Sequence, residues 1–234
     1  MITNRDIEIV DWIGRLGAAD PGHVMARFGT GRTVTYRRLA ALEAARLIER
    51  SRLLHAQSGL NTSTRAGLRL CGLEDLGLAR VSAASVAHWQ ASTTVAVLLE
   101  RRHGNGNVGG VREIRTAERA TGCPVATCEV GSSVHLPDLA VWGPAGLGLP
   151  GGIAVEVELT EKAPRRLEQI VRGWRRAVSQ GVVSRVLYVC SPEALRAVER
   201  AIASTEAQQQ VRTAAMPAAD VLSRLGRERQ PAAA

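Results

Sequence analysis

The chain has 234 residues, a length that fits one large domain or two small ones. Its net charge is +8, from 30 Lys and Arg against 22 Asp and Glu, and nearly all of the excess is arginine. Arginine binds phosphate groups bidentately, so the composition fits a polyanion-binding protein and, equally, a basic solvated surface without such a partner.

The cysteines and the amino terminus indicate the compartment. The four cysteines are scattered, and no pair has the two-residue spacing of a zinc or redox motif. We therefore expect free thiols in a reducing environment. The first residues are polar, without an apolar signal core, and no apolar segment approaches the length of a membrane span. The sequence predicts a soluble, cytoplasmic protein that does not bind membranes.

Three helices are predicted in the first 50 residues. Apolar residues at helical spacing predict a first helix over 4–16. Asp20 followed by Pro21 is a helix start signal and predicts a second helix over 21–28. After a short glycine turn, the pattern of leucines predicts a third helix over 33–49. Two helices joined by such a turn are typical of a helix-turn-helix unit.

The segment after the third helix makes the helix-turn-helix prediction more specific. A β-prone stretch around Leu53 and Leu54 leads to a polar loop over 55–61 and then to the segment 62–68, Thr-Ser-Thr-Arg-Ala-Gly-Leu. In order and spacing, residues 4–72 resemble the winged helix family, with a generic three-helix bundle as the alternative. The resemblance implies binding to double-stranded DNA, with base or backbone contacts from the predicted recognition helix and wing: Arg32, Thr33, Arg37, Arg38, Arg52 and Arg65.

A second region follows a connector over 72–80. The predicted elements are a helix over 83–102, strands over 111–119, 136–142 and 153–160, a helix over 164–180, a strand over 182–190, a helix over 192–204 and a short strand over 211–216. Glycine-rich segments at 104–110 and 146–152 are predicted as a flexible turn and a hairpin loop. This order predicts an α/β domain with a mixed central sheet flanked by helices.

Acidic residues on two neighbouring predicted strands are the candidate site. Because side chains alternate along a strand, Glu156 and Glu158 share one face, opposite the valines between and before them. Two carboxylates on an apolar strand repel each other and are costly to desolvate, so a compensating charge is expected. With Asp138 from the preceding strand they would form a pocket of hard oxygen ligands for Mg²⁺ or Mn²⁺.

The order of these residues resembles the PD-(D/E)XK nucleases. Pro137-Asp138, a hairpin and an acidic strand, followed by a helix and another strand, match that core over residues 83 to about 217. The resemblance implies that Asp138 and Glu156 hold the metal. Glu158 stands where the family usually has lysine, and Lys162, the only lysine of the chain, is the candidate to replace it. The implied activity is metal-dependent hydrolysis of DNA, in which Glu158 or Lys162 would position or deprotonate the attacking water.

Basic residues surround this acidic pair in sequence. The helix over 164–180 has an apolar stripe on one side and exposed arginines on the other, among them Arg165, Arg172 and Arg176. Such a face would bind the phosphate backbone that the carboxylates alone would repel, or it is an ordinary solvated helix surface. The alternative for the glutamates is a sheet face open to solvent or paired with Arg165 and Arg166.

Taken together, the two regions are similar to the replication-relaxation family of plasmids and other mobile elements. The predicted organisation is a winged helix domain over 1–72, a nuclease-like domain over 80–220 and a flexible tail over 221–234. The resemblance implies a DNA-binding protein that nicks or cleaves DNA, with a homodimer expected by analogy with other winged helices. The alternative is a non-catalytic regulator or replication factor whose nuclease-like domain serves dimerisation or partner docking.

Overall fold

The computed structural model describes residues 2–53, 58–142 and 151–228, with side chains to residue 225. The helices are α1 (Asn4–Leu16), α2 (Pro21–Phe28), α3 (Arg32–Ala44), α4 (Arg65–Leu70), α5 (Val86–His103), α6 (Val111–Thr121), α7 (Pro164–Ser179), α8 (Pro192–Ser204) and α9 (Val221–Glu228). The strands are β1 (Ile48–Ser51), β2 (Leu60–Ser63), β3 (Val108–Gly110), β4 (Cys128–Val130), β5 (Ser133–His135), β6 (Leu139–Val141), β7 (Gly152–Glu158), β8 (Val183–Cys190) and β9 (Val211–Ala215).

The chain divides into two compact units, one formed by residues 1–97 with 217–234 and the other by residues 98–216. In the first unit, α2 and α3 are consecutive helices, and β1 and β2 form an antiparallel hairpin. The turn between the helices begins at Gly29, whose φ of 66° is left-handed and favours glycine. Val10, Ile13, Leu42 and Leu68 are buried in this unit.

The second unit is built on a mixed five-stranded sheet in the order β3-β6-β7-β8-β9. Strands β3, β6 and β7 are antiparallel neighbours, whereas β7, β8 and β9 run parallel. The parallel connections pass through α7 and α8, as crossover helices must when parallel strands are joined. The core between these helices and the sheet contains Trp174, Val186, Tyr188 and Val198. The predicted mixed sheet flanked by helices is therefore confirmed for this unit.

One predicted element of secondary structure was wrong in type, and another was predicted too long. Residues 111–119, predicted as a strand, form α6, because Ile114 and Ala117 repeat at helical spacing and Glu113 accepts a hydrogen bond from Gly110 N at the helix start. The third helix ends at Ala44 rather than at residue 49. Arg46 there has a φ of 57°, and the chain turns into β1.

Other differences are shorter elements that local patterns did not indicate. Strand β3 lies within the predicted glycine turn, the β4–β5 hairpin lies in a region without a predicted element, and β2 takes the end of the predicted polar loop. Residues 221–228 of the predicted tail form α9, which contacts α2, and residues 229–234 are outside the described part of the chain. Leu54, residues 55–57 of the polar loop and residues 143–150, which include most of the predicted hairpin loop, are outside it as well.

Over the described ranges, no helix combines the length and the apolar character that crossing a bilayer requires.

Candidate acidic site

Asp138 lies beside β7 because β6 and β7 are antiparallel neighbours. Leu139, the first residue of β6, is opposite Val155, so the residue before it falls near the end of β7 that carries the glutamates. Oδ2 of Asp138 accepts a hydrogen bond from the backbone N–H of Val157 at 2.7 Å. The Asp138 carboxylate is therefore fixed against the backbone between Glu156 and Glu158.

The two glutamates lie on the inner face of β7. Val155 and Val157 are buried on one face of the strand, as the predicted alternation requires. On the other face, Glu156 and Glu158 are only 4% and 5% exposed, and Ala154 on that face belongs to the core against α7. The alternative of a solvent-open glutamate pair is therefore wrong, since both carboxylates are buried.

Glu156 has two partners from other elements. Oε1 of Glu156 accepts a hydrogen bond from Nε1 of Trp174 on α7 at 2.9 Å. Nε2 of His135, on β5, lies 2.5 Å from the same oxygen. The imidazole and the indole are themselves in edge contact, with ring centroids 5.8 Å apart. Glu156 is thus held by a helix and a hairpin as well as by its own strand.

Glu158 is paired with the lysine that the sequence analysis selected. Nζ of Lys162 donates to Oε2 of Glu158, and the lysine side chain is 38% exposed. Burial raises the pKa of Glu158, the hydrogen bond and charge of Lys162 oppose that rise, and the charges of Glu156 and Asp138 add to it. The two other acids are therefore close enough to disfavour a third negative charge.

The donor set suits a hard divalent cation. The charges of Asp138 and Glu156 raise the pKa of Glu158, and a bound cation would relieve that repulsion. In this arrangement, however, oxygens of Asp138, Glu156 and Glu158 accept hydrogen bonds from protein donors. Within residues 2–53, 58–142 and 151–225, no group of three or more potential ligands is arranged to hold a metal ion. The residues fit Mg²⁺ or Mn²⁺ in ligand type, but they are not arranged as a metal-binding group.

Part of the predicted DNA-contacting set lies on α3 and after β1. Arg32, Thr33 and Arg37 are exposed on α3, and Arg52 is exposed just beyond β1. Arg38 is different, because its Nη1 donates to Oδ2 of the buried Asp6 at 3.2 Å. The Arg38 side chain is 36% exposed, and its guanidinium group forms an ion pair with a buried carboxylate.

The remaining predicted arginines occupy other surfaces. Arg65 is exposed at the start of α4, with Nη1 3.4 Å from the carbonyl oxygen of Glu74. Arg165, Arg172 and Arg176 are exposed on α7. Arg172 pairs with Glu168 at 3.1 Å, and Arg176 donates to the carbonyl oxygen of Glu129 at 2.9 Å. The proposed pairing of the glutamates with Arg165 or Arg166 is not what the structure has, since Trp174, His135 and Lys162 are their partners.

Sequence reasoning missed two contributors to the acidic site, Trp174 and Tyr188. Trp174 was assigned only to the apolar stripe of its helix. His135, three residues before Asp138, was expected either to touch the site or to be a surface or strand-end histidine, and the structure places it against Glu156. Tyr188 lies opposite Glu156 on β8, fully buried, and its hydroxyl has no hydrogen-bond partner. Burial raises the pKa of Tyr188 strongly, and the charge of Glu156 raises it further. No local pattern marks these residues, although a tryptophan in an apolar stripe near buried acids is a reasonable donor candidate.

Comparison with models of protein families, with curated proteins and with solved structures gives no match to this chain.

Proposed function

We propose that this chain is a DNA-binding protein that hydrolyses DNA phosphodiester bonds at the acidic site of its second unit, with Mg²⁺ or Mn²⁺ as cofactor. The observation that carries the proposal is the hydrogen bond from Val157 N to Asp138, which holds that carboxylate between Glu156 and Glu158. This placement is analogous to the PD-(D/E)XK nuclease site. The wider assignment to a replication-relaxation protein of mobile elements rests on the same residues.

The order of elements supports this analogy. A helix, α5, precedes β3, β6 and β7, which are antiparallel, and α7 then leads to the parallel strand β8. Pro137-Asp138 directly precedes β6, the strand next to the one with Glu156. Although Glu158 replaces the usual lysine, the ammonium group of Lys162 reaches its carboxylate from four residues further on. The positive charge that a strand lysine supplies in the family would therefore come from Lys162, in the loop after β7.

Each residue would have a separate task. Asp138 and Glu156, with Glu158 as a further ligand, would hold the metal, which would lower the pKa of a bound water and offset negative charge at the phosphorus. If Glu158 does not bind the metal, it would accept the proton of that water. Lys162, half exposed at the edge of the site, would attract the phosphate and orient the water.

The first unit supplies the DNA-binding part of the proposal. Its helices α2 and α3 are separated by a short turn at residues 29–31, and the hairpin β1–β2 follows α3 as a wing would. Arg32, Thr33 and Arg37 project from α3 into solvent. We infer that α3 reads the DNA and that Arg52 and Arg65 contact its backbone.

One observation favours a second candidate, a non-catalytic regulator or replication factor. Oε1 of Glu156 already interacts with two protein groups, Trp174 and His135, and Glu158 is paired with Lys162. Carboxylates satisfied in this way stabilise a fold without a metal. In that case the second unit would serve for dimerisation or partner docking.

A plasmid-nicking experiment separates the two candidates. Supercoiled plasmid is incubated with the full chain and either Mg²⁺ or Mn²⁺, beside the variants Glu156→Gln and Glu161→Ala. Gln at position 156 can still accept the Trp174 hydrogen bond, whereas Glu161 is an exposed glutamate paired with Arg200 outside the acidic site. We expect nicking by wild type and Glu161→Ala and none by Glu156→Gln. DNA binding without nicking in either metal would refute the hydrolytic proposal and support the second candidate.

A further inference from the structure

A cavity of about 460 Å³ lies along the carboxyl-terminal half of α7. The residues that line it repeat at intervals of three and four, so they form one face of the helix: Arg172, Arg175, Arg176, Ser179 and Gln180. Trp174 is buried on the other side of the helix and contacts Glu156. The body of α7 therefore separates this cavity from the acidic site.

Two of these arginines are held in place by neutral groups. Nη1 of Arg175 donates to the carbonyl oxygen of Thr205 at 2.7 Å, and Nη2 of Arg176 donates to the carbonyl oxygen of Glu129 at 2.9 Å. A carbonyl accepts a hydrogen bond but carries no net charge, so both guanidinium groups are oriented while their positive charge is retained. Arg175 also forms an ion pair of 3.8 Å with the carboxylate of Glu206, which is 83% exposed and screened by solvent.

The anchors come from both sides of the helix. Glu129 belongs to β4, and Thr205 follows the end of α8. Each guanidinium has five N–H donors, so one anchoring bond leaves others available to a ligand. Because folding has already restricted these two side chains, an anion that binds them loses less conformational entropy than it would on freely moving arginines.

We propose that this α7 cavity is a phosphate-binding site that takes the backbone of a polynucleotide. Fixed guanidinium forks match phosphate oxygens in charge and geometry, and the chain as a whole is basic. The inference rests on the DNA-binding part of the proposed function and does not require hydrolysis at the acidic carboxylates. The competing explanation is that Arg175 and Arg176 only stabilise the carboxyl end of α7 by opposing its dipole.

The test uses a fluorescent 30-base-pair duplex and the full chain without divalent metal. We expect the double variant Arg175→Gln/Arg176→Gln to bind at least tenfold more weakly than wild type. The slope of log affinity against log salt should fall by roughly 1 for each phosphate group that the variant no longer binds. Arg115→Gln, an exposed arginine on α6, is the matched control and should change neither value.

Two further measurements keep the result unambiguous. The double variant Arg175→Lys/Arg176→Lys retains the charge and should recover most of the salt slope, which a loss of folding would not allow. Inorganic phosphate should shift the guanidinium NMR signals of Arg175 and Arg176 in wild type. Unchanged duplex affinity in the glutamine variant, or no duplex binding by wild type, would overturn the inference. Weakened binding by that variant, together with absence of cleavage by wild type, would uphold it and reject the proposed hydrolysis.

Discussion

The indole N–H of Trp174 donates to Oε1 of Glu156 at 2.9 Å, and both side chains are buried. Glu156 lies on the central strand of the sheet and Trp174 on the helix that covers it, eighteen residues later. A hydrogen bond to a charged group contributes more to stability than a bond between neutral groups. This contact therefore joins the stability of the second unit to the geometry of its acidic site.

Trp174→Phe removes that donor while keeping most of the apolar contact. We expect a loss of about 1.5–3 kcal/mol in the free energy of unfolding, measured with urea by circular dichroism. Trp142→Phe is the matched control, because Trp142 belongs to the same core and its indole N–H has no hydrogen-bond partner. Equal losses for the two variants would show that the Glu156 bond contributes nothing beyond packing.

Replacing Tyr188 should raise the free energy of unfolding, whereas replacing Trp174 should lower it. Its hydroxyl is buried without a hydrogen-bond partner, which costs desolvation energy, and phenylalanine has no such group. Tyr188→Phe is expected to raise the free energy of unfolding by about 1 kcal/mol. Tyr36→Phe, at a half-buried tyrosine of α3, should leave it within about 0.5 kcal/mol of wild type. A clear loss of stability on Tyr188→Phe would mean that the hydroxyl is satisfied in solution.

Gly173 permits the close approach of the β4–β5 hairpin to α7. A Cβ at this position would lie 2.6 Å from the carbonyl oxygen of Glu129 and 3.0 Å from Sγ of Cys128. Because backbone must move to make room, Gly173→Ala is expected to lower the free energy of unfolding by about 1–3 kcal/mol. Cys128 pairs with His135 across the hairpin, so the His135–Glu156 contact should also weaken.

The measurement for Gly173→Ala combines urea unfolding with the NMR signals of the His135 ring. Gly77→Ala is the control, since a Cβ there would meet nothing within 4 Å. If both variants retain wild-type stability and the His135 signals do not move, the hairpin is not held by this contact.

Asp20 provides a prediction of pH dependence. Burial acts to raise the pKa of Asp20, but the hydrogen bonds and charge of His23 outweigh it, and the pKa is lowered below its ordinary value. Oδ1 of Asp20 accepts from His23 N at 3.0 Å and caps α2. A carboxylate with a lowered pKa in the folded chain adds stability above its unfolded pKa, and that stability disappears as the pH falls through the folded pKa.

Asp20→Ala is therefore expected to cost about 0.5–2 kcal/mol at pH 7. The difference from wild type should narrow as the pH falls below about 4, where unfolded aspartate becomes protonated. Thr64→Ala removes another helix cap, one that does not titrate, and its cost should not follow this curve. Urea unfolding between pH 7 and 3 measures both, and an Asp20→Ala cost that is constant with pH would contradict the assignment.

Helices and strands with local start and stop signals were predicted correctly from the sequence. The helices over 4–16, 21–28 and 192–204 have the predicted bounds, because their capping residues, first-turn prolines and apolar spacing act within a few residues. The strand with Glu156 was predicted to within two residues, and its alternation assigned the glutamates to one face.

Short or ambiguous segments could not be predicted from the sequence in this way. Strands β3, β4 and β5 have three residues each, too few for a period to be recognised, and they exist because a partner strand pairs with them. Residues 111–119 contain β-branched side chains that favoured a strand. The burial of Ile114 and the capping by Glu113 decided for a helix.

By itself, the sequence determined the acidic residues of the second unit, the strand that carries Glu156 and Glu158, the common face of these two and the lysine close behind them, since all of these depend on local spacing. Only the tertiary structure decided what those acids contact. Trp174 and His135 are 18 and 21 residues from Glu156 in sequence, and Asp138 is 19 residues from Val157. Contacts at such separations depend on how strands pair and how a helix packs on the sheet, and the periodicity of a single segment does not contain that information.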